Sequence, residues 1–293
     1  DIDPATRNMC VQRLAHKLEL AEREGRLPKI VIPVHFAGRS CDMRRIAELG
    51  QKYGFRIVED ASHAVGGNHA GERIGSCRYA DICVFSFHAI KTMTTGEGGA
   101  MLTNDAELAA RLARLRSHGV TRESQLLDEA GEGPWYYEQQ ELGYNYRMTD
   151  IQAALGTSQL GELDNFVAAR RAQAGRYGPL LRGLPLQLPA PDPESESALH
   201  LYTVAIDCEG LGLSRREVFA QMRGAGIGVN VHYIPIHTQP YYRRLGFRRG
   251  DFPNAEEHYR TVLTLPLYPG LSVEDQAHVA TTLAAALASG NRS

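Results

Sequence analysis

The chain has no dominant charge. Its 32 Lys and Arg residues stand against 34 Asp and Glu, a net charge of -2 with the eleven histidines neutral. Without a basic field, neither nucleic acid nor an anionic membrane surface is an expected partner. No apolar run approaches the roughly 18 residues of a spanning helix, and no signal-peptide pattern opens the chain. The histidines never take the H-E-x-x-H spacing, and Cys10, Cys41, Cys77, Cys83 and Cys208 never take C-x-x-C. A metal site is therefore not expected, and an odd, scattered set of thiols reads as a reduced, cytoplasmic protein. A starting methionine is also absent. Asp1-Ile2-Asp3-Pro4 reads as a strand already ending, so a preceding segment is expected.

What is present suits a globular chain. Its 293 residues are 43% apolar, enough for one large and one small domain. The boundary is set at the proline-rich, extended run Leu184 to Pro193, giving domains 1–183 and 184–293. In the first, an amphipathic helix over Asn8–Glu24 precedes a strand over Lys29–Val34, apolar throughout and so expected at the centre of a sheet. A helix from Asp42 to Lys52 and the strand Arg-Ile-Val-Glu-Asp (56–60) complete a βαβ unit, hence a parallel sheet. Glycines mark a loop or short hairpin over 65–79. A strand over Ile82–Phe87, a tight turn, another strand near Gly99 and a helix capped at Asn104 or Asp105 follow. Residues 121–141 read as a long surface loop, and Thr149 with Gln152 as a capping box opening a long, bent helix. The second domain reads as α+β: strands at 200–206 and over Gly226–Pro235, with helices from Ser214, Asn254 and Val273.

The organising stretch is 56–103. Two strands, each apolar until its last residues, deliver Glu59-Asp60 and Ser86 to one edge, with Lys91 just beyond. In an open parallel sheet that carboxyl edge is where ligands bind. A lysine there is desolvated, which lowers its pKa and frees its amine as a nucleophile toward carbonyls. A random lysine is a solvated one, but Lys91 sits among Thr92, Thr94, Thr95, Gly96, Gly98 and Gly99, a loop through which backbone can approach an anion. Asp60 taken alone is a cap. Beside a Schiff-base lysine it becomes the carboxylate that keeps a pyridine nitrogen protonated. His63 lies one turn of chain further, able to donate to a phenolate oxygen, and Ser86 can donate to a phosphate.

Val-Glu-Asp-Ala-Ser-His-Ala-Val-Gly (58–66), the 86–100 segment around Lys91 and Gly143 to Gly156 together resemble the DegT/DnrJ/EryC1/StrS family of sugar aminotransferases over nearly the whole chain. The resemblance implies an α/β fold, the type I pyridoxal-phosphate transferase fold, its large domain lacking an N-terminal part that in the family carries a Gly-Thr-rich phosphate turn. It implies pyridoxal 5'-phosphate as cofactor, with Lys91 as Schiff-base lysine, Asp60 at the ring nitrogen, His63 near the ring hydroxyl and Ser86 at the phosphate. Asn145 reaches the phosphate of a neighbouring subunit in such enzymes, implying a homodimer with shared sites. His232, Tyr233, Ile234, Pro235 and His237 resemble the small-domain loop that approaches the nucleotide-sugar. Relatives with histidine at the lysine position are dehydratases, and Lys91 argues against that chemistry. The opening residues, 32–43 and 230–242 further resemble the transaminases of pseudaminic acid biosynthesis. They imply L-glutamate as donor and a UDP-linked 4-keto-6-deoxy-N-acetylhexosamine as acceptor. Another dTDP- or GDP-linked keto-sugar, or a non-catalytic binder of cofactor or nucleotide-sugar, are the competing readings.

Overall fold

The computed structural model describes residues 1–129, 131, 133–191 and 194–290; Ala130, Glu132, Asp192 and Pro193, which the loop and linker expectations include, lie outside the described residues. A four-stranded sheet runs in the order Ile30–Val31, Arg56–Asp60, Ile82–Ser86, Gly99–Leu102. Its first three strands are parallel and the last antiparallel. Helix Met43–Tyr53 makes the crossover between the first two. Asp42 caps it by accepting the Arg45 N–H, and its buried Met43, Ile46 and Tyr53 pack on Val31, Phe55 and Ile57.

The Lys29–Val34 strand is shorter than its sequence suggests and lies at the sheet's edge among the described residues, not its centre. Pro33 has no N–H for a ladder, so pairing stops after Val31 and resumes as a single bridge from Val34 to Asp60. Ile30, Ile32 and Val34 are exposed on that edge. At the start of the chain Ile2 makes a single bridge, and a turn follows over 4–6. The Asp3 carboxylate accepts the Ala5 and Thr6 N–H groups, as an aspartate before proline favours, and only Ile2 bridges to Met9. Residues 65–79 contain the short hairpin Asn68–His69 with Glu72–Arg73, joined by Ser195–Glu196. The 121–141 excursion is closed at its base by Val120–Thr121 against Glu138–Gln139.

The long helix breaks at Glu162 into Asp150–Gly161 and Leu163–Leu180, with the Thr149–Gln152 capping box in place. Its second half spans two cores. Leu163 and Val167 pack with Ala61, Cys83 and Phe85, while Tyr177 and Leu181 join the C-terminal core of Tyr202, Val204, Leu263 and Leu283. Between these, buried Arg170 donates through Nη1 to the carbonyls of Leu199, His200 and Leu267 at 3.3, 3.3 and 2.9 Å. This one guanidinium nitrogen gathers three carbonyls and fixes the 199–200 backbone beside the large sheet.

The C-terminal sheet is antiparallel: Leu186–Gln187, Tyr202–Ile206, Val262–Leu265. Val262–Leu265 was not foreseen, because four buried residues, three of them apolar, directly after a helix carry no turn signal. Conversely, 226–235 forms no strand. Only Asn230 bridges Thr264, since glycines on one side and Pro235 on the other end the ladder.

Candidate active site

The two central strands end side by side. Asp60 pairs with Val84, and the Ala61 N–H donates to the Val84 carbonyl at 2.9 Å, so Asp60 and Ser86 reach one edge together. The half-buried Asp60 accepts the Ser62 N–H at 3.0 Å through Oδ1, which fixes its carboxylate. The Ser86 oxygen accepts the His88 N–H at 3.4 Å, where the chain leaves the strand.

Lys91 sits in the tight loop that follows. The loop is pinned to Phe87: Thr95 N–H and Thr94 Oγ1 donate to the Phe87 carbonyl, and the Phe87 N–H donates to Gly98. Gly98 has φ +156, and a Cβ there would lie 2.3 Å from Thr95 Oγ1 and 2.8 Å from the Met148 methyl. Only glycine lets this loop close against the start of helix Asp150–Gly161. Lys91 is half-buried; burial lowers its pKa, and the charge of Asp60 opposes that shift. Thr92 Oγ1 beside it is buried with no hydrogen-bond partner.

His63 is buried against both parts of the chain. Its Nδ1 accepts the Ala37 N–H at 3.3 Å, and its Nε2 lies 3.3 Å from the Tyr233 hydroxyl. The Tyr233 ring stacks on one side (6.0 Å, 30°) and His200 stands 4.5 Å away. Burial, then the charge of Lys91, lowers His63 to about 4. His232 is anchored by Nδ1 on Thr264 Oγ1 at 2.8 Å and its carbonyl contacts His258 Nε2 at 3.1 Å.

These residues therefore meet at one edge: Asp60, Ser86, Lys91 and His63 from the large sheet, His232 and Tyr233 from the C-terminal unit. Four foreseen residues stand elsewhere. Ile234 and Pro235 line a cavity of about 510 Å³ with Ile32 and Val34. His237 turns to Glu256 (2.8 Å) and Phe252. Asn145 is exposed on a segment bridged to Ser117. His200 was missed. A lone histidine after a proline-rich run carries no signal, yet it is 5% exposed and neither ring nitrogen has a partner. Phe36 was missed too, an edge-on neighbour of Tyr233 and His258.

The seam thus holds four buried histidines with lowered pKa values: His63 and His258 to about 4, His200 to about 2, and His232 downward, each through burial first. A folded value below the unfolded 6.5 means that the unfolded chain binds the extra proton. Stability is then complete above pH 6.5 and is lost as pH falls toward 4, on the order of 3 kcal/mol for each of His63 and His258. Urea unfolding at pH 7.5 and 5.5 checks this: the midpoint is expected to drop, and a smaller drop is expected in His258→Gln. A flat pH response would remove the claim.

A family model, the DegT/DnrJ/EryC1/StrS aminotransferase family, matches residues 1–284. The spore coat polysaccharide biosynthesis protein SpsC of Bacillus subtilis is 40% identical over 250 residues, which cover 84% of this chain and 64% of SpsC. This chain thus spans less than two thirds of that relative. Helicobacter pylori PseC, an aminotransferase of pseudoaminic acid biosynthesis, superposes with a TM-score of 0.88 at 28% identity, covering 98% of this chain and 72% of PseC. The PLP-form of the putative sugar aminotransferase Spr1654 of Streptococcus pneumoniae gives 0.84 at 29%, covering 99% and 74%. The fold is that of the type I pyridoxal-phosphate-dependent transferases. With residues 1–284 of its 293 matched, the chain belongs to the DegT/DnrJ/EryC1/StrS aminotransferase family.

Proposed function

We propose that the protein transfers an amino group from L-glutamate to a nucleotide-linked 4-keto-6-deoxy sugar, with a UDP-linked N-acetylhexosamine as acceptor in pseudaminic acid or related surface-glycan synthesis. The observation that carries this reading is the delivery of a fixed carboxylate and a desolvated lysine to one sheet edge. Pyridoxal 5'-phosphate, the cofactor of this family, fits that donor set. The amine of Lys91 is partly withdrawn from water, the Asp60 carboxylate is held by Ser62, and Thr92 Oγ1 is left without a partner beside them.

Asp60, His63, Ser86 and Lys91 would hold it, with Asn145 from a second copy. When bound, it supplies an aldehyde and an electron-withdrawing ring. Asp60 holds the proton on the ring nitrogen. Ser86 gives its hydroxyl to the phosphate. Lys91 Nζ, as free amine, takes the proton from the carbon bearing the donor's nitrogen and later returns one to the former keto carbon of the sugar. His232 and Tyr233 face the acceptor, with Ile234, Pro235 and His237 continuing that loop. A homodimer with shared sites is supported by helix Asp150–Gly161 and the segment before it. Ile151 is 85% exposed and Leu142 89%, and Leu155, Leu160 and the stacked Tyr144–Tyr146 pair are exposed beside Asn145. The domains are drawn at 1–183 and 184–293.

Spectroscopy tests the reading. Protein saturated with pyridoxal 5'-phosphate is expected to show a visible absorption band that glutamate bleaches and a UDP-linked 4-keto sugar restores. A band that glutamate leaves unchanged would sink transamination; restoration by dTDP- or GDP-linked keto-sugars alone would sink the UDP assignment.

A further inference from the structure

His35 and Glu59 are buried and unused by the chemistry above. His35 is wholly buried, and its Nε2 lies 2.6 Å from Glu59 Oε1. Its Nδ1 accepts the Cys41 N–H at 3.1 Å. Burial opposes a charged His35, while the Glu59 carboxylate beside it favours one. The Cys41 donor decides against the charged form, because a second ring proton would meet that N–H head-on. The proton therefore sits on Nε2, facing the carboxylate.

From this anchor the chain makes an unusual turn. Ala37 has φ 58 and ψ 9, a left-handed conformation that a non-glycine residue seldom adopts. It is held on every side. The Phe36 N–H donates to Asn8 Oδ1 at 2.9 Å, and the Ala37 and Gly38 carbonyls accept the N–H groups of Leu201 and Ala198. Gly38 (φ +97) has no room for a side chain: a Cβ would lie 2.8 Å from Leu199 N and 2.9 Å from His63 O. The outcome of the turn is one contact, the Ala37 N–H on His63 Nδ1.

We propose that the His35–Glu59 pair is a positioning device for His63: by holding the Ala37 amide on Nδ1, it fixes His63 as the tautomer with its proton on Nε2. That proton then points at Tyr233 Oη, 3.3 Å away, so the tyrosine oxygen accepts and keeps its own proton to give. The pair thus sets, from the far side of the strand that carries Asp60, the direction of hydrogen bonding across the seam. The assignment deepens the reading that His63 and Tyr233 border the reaction, but its test does not depend on activity.

Long-range proton–nitrogen correlation spectra of protein labelled in its histidines read the tautomer directly, and the cofactor need not be present. In the unaltered protein His63 is expected to show a protonated Nε2 and a bare Nδ1; the opposite pattern overturns the proposal without any variant. Glu59→Ala is expected to lose the single-tautomer pattern, giving exchanging signals on both nitrogens of His63. Glu59→Gln, whose amide oxygen still accepts from His35, and Ala37→Gly, which keeps the amide and the left-handed turn, are expected to retain it. A folded Glu59→Ala with an unaltered His63, or a Glu59→Gln that loses the pattern, refutes the device. If these patterns hold while glutamate bleaches no absorption band, only the functional reading fails.

Discussion

Lys91→Ala is expected to lose turnover by roughly 10⁴, the full range that a positioned acid–base group supplies. It is also expected to lose retention of pyridoxal on the protein after borohydride reduction. The loss should not come from unfolding. Lys91 is only half-buried, and its structural bond, its backbone N–H on the His88 carbonyl at 2.9 Å, survives any side-chain change. The loop is held by Thr94, Thr95 and Gly98, not by the lysine stem. Lys91→Arg separates charge from chemistry, since a guanidinium stays protonated and offers no free amine. It should be as inactive as the alanine variant, with a melting temperature near that of the unaltered protein. Turnover in either variant above a tenth of the original would end the role given to Lys91.

Much of this site was legible in the sequence because it lies where two short apolar runs stop. Polar residues at the ends of buried strands need a reason to be there, and the positions of Asp60, Ser86 and Lys91 follow from strand ends alone. The Lys91 loop was legible through its glycines and threonines, which the Phe87 carbonyl and the Met148 contact now explain. What could not be read is the seam. His200, Phe36 and the Ala37 amide reach His63 through contacts between residues far apart in the chain. No periodicity marks such residues, and a lone buried histidine looks like any other. The edge position of Ile30–Val31 was misread for a related reason: apolar residues on both faces signal a central strand unless a proline interrupts the ladder. The four-residue strand Val262–Leu265 was missed because helix Pro253–Thr261 runs into it without a glycine or proline between them.

Asp60→Asn should divide the chemistry from its electrostatics. The amide keeps the carboxylate's shape and can still accept the Ser62 N–H through Oδ1, so the strand end and its turn should stand. What disappears is the negative charge. Without it no group holds the proton on a ring nitrogen, and turnover should fall by about 10²–10³, as when one preorganised electrostatic contact is removed. The same substitution has an opposite effect on Lys91. Burial lowers the lysine's pKa and Asp60 alone is found to raise it, so removing the charge should lower it further. His63 also loses a raising influence and stays neutral. The variant's Lys91 amine should therefore react faster, not slower, with an amine-selective reagent between pH 7 and 9, with the midpoint of its pH profile moved down. A merely misfolded site would lose both turnover and lysine reactivity. Slower turnover with a more reactive lysine is the signature of a carboxylate acting through its charge, and an unmoved lysine profile would show that Asp60 does not reach Lys91 at all.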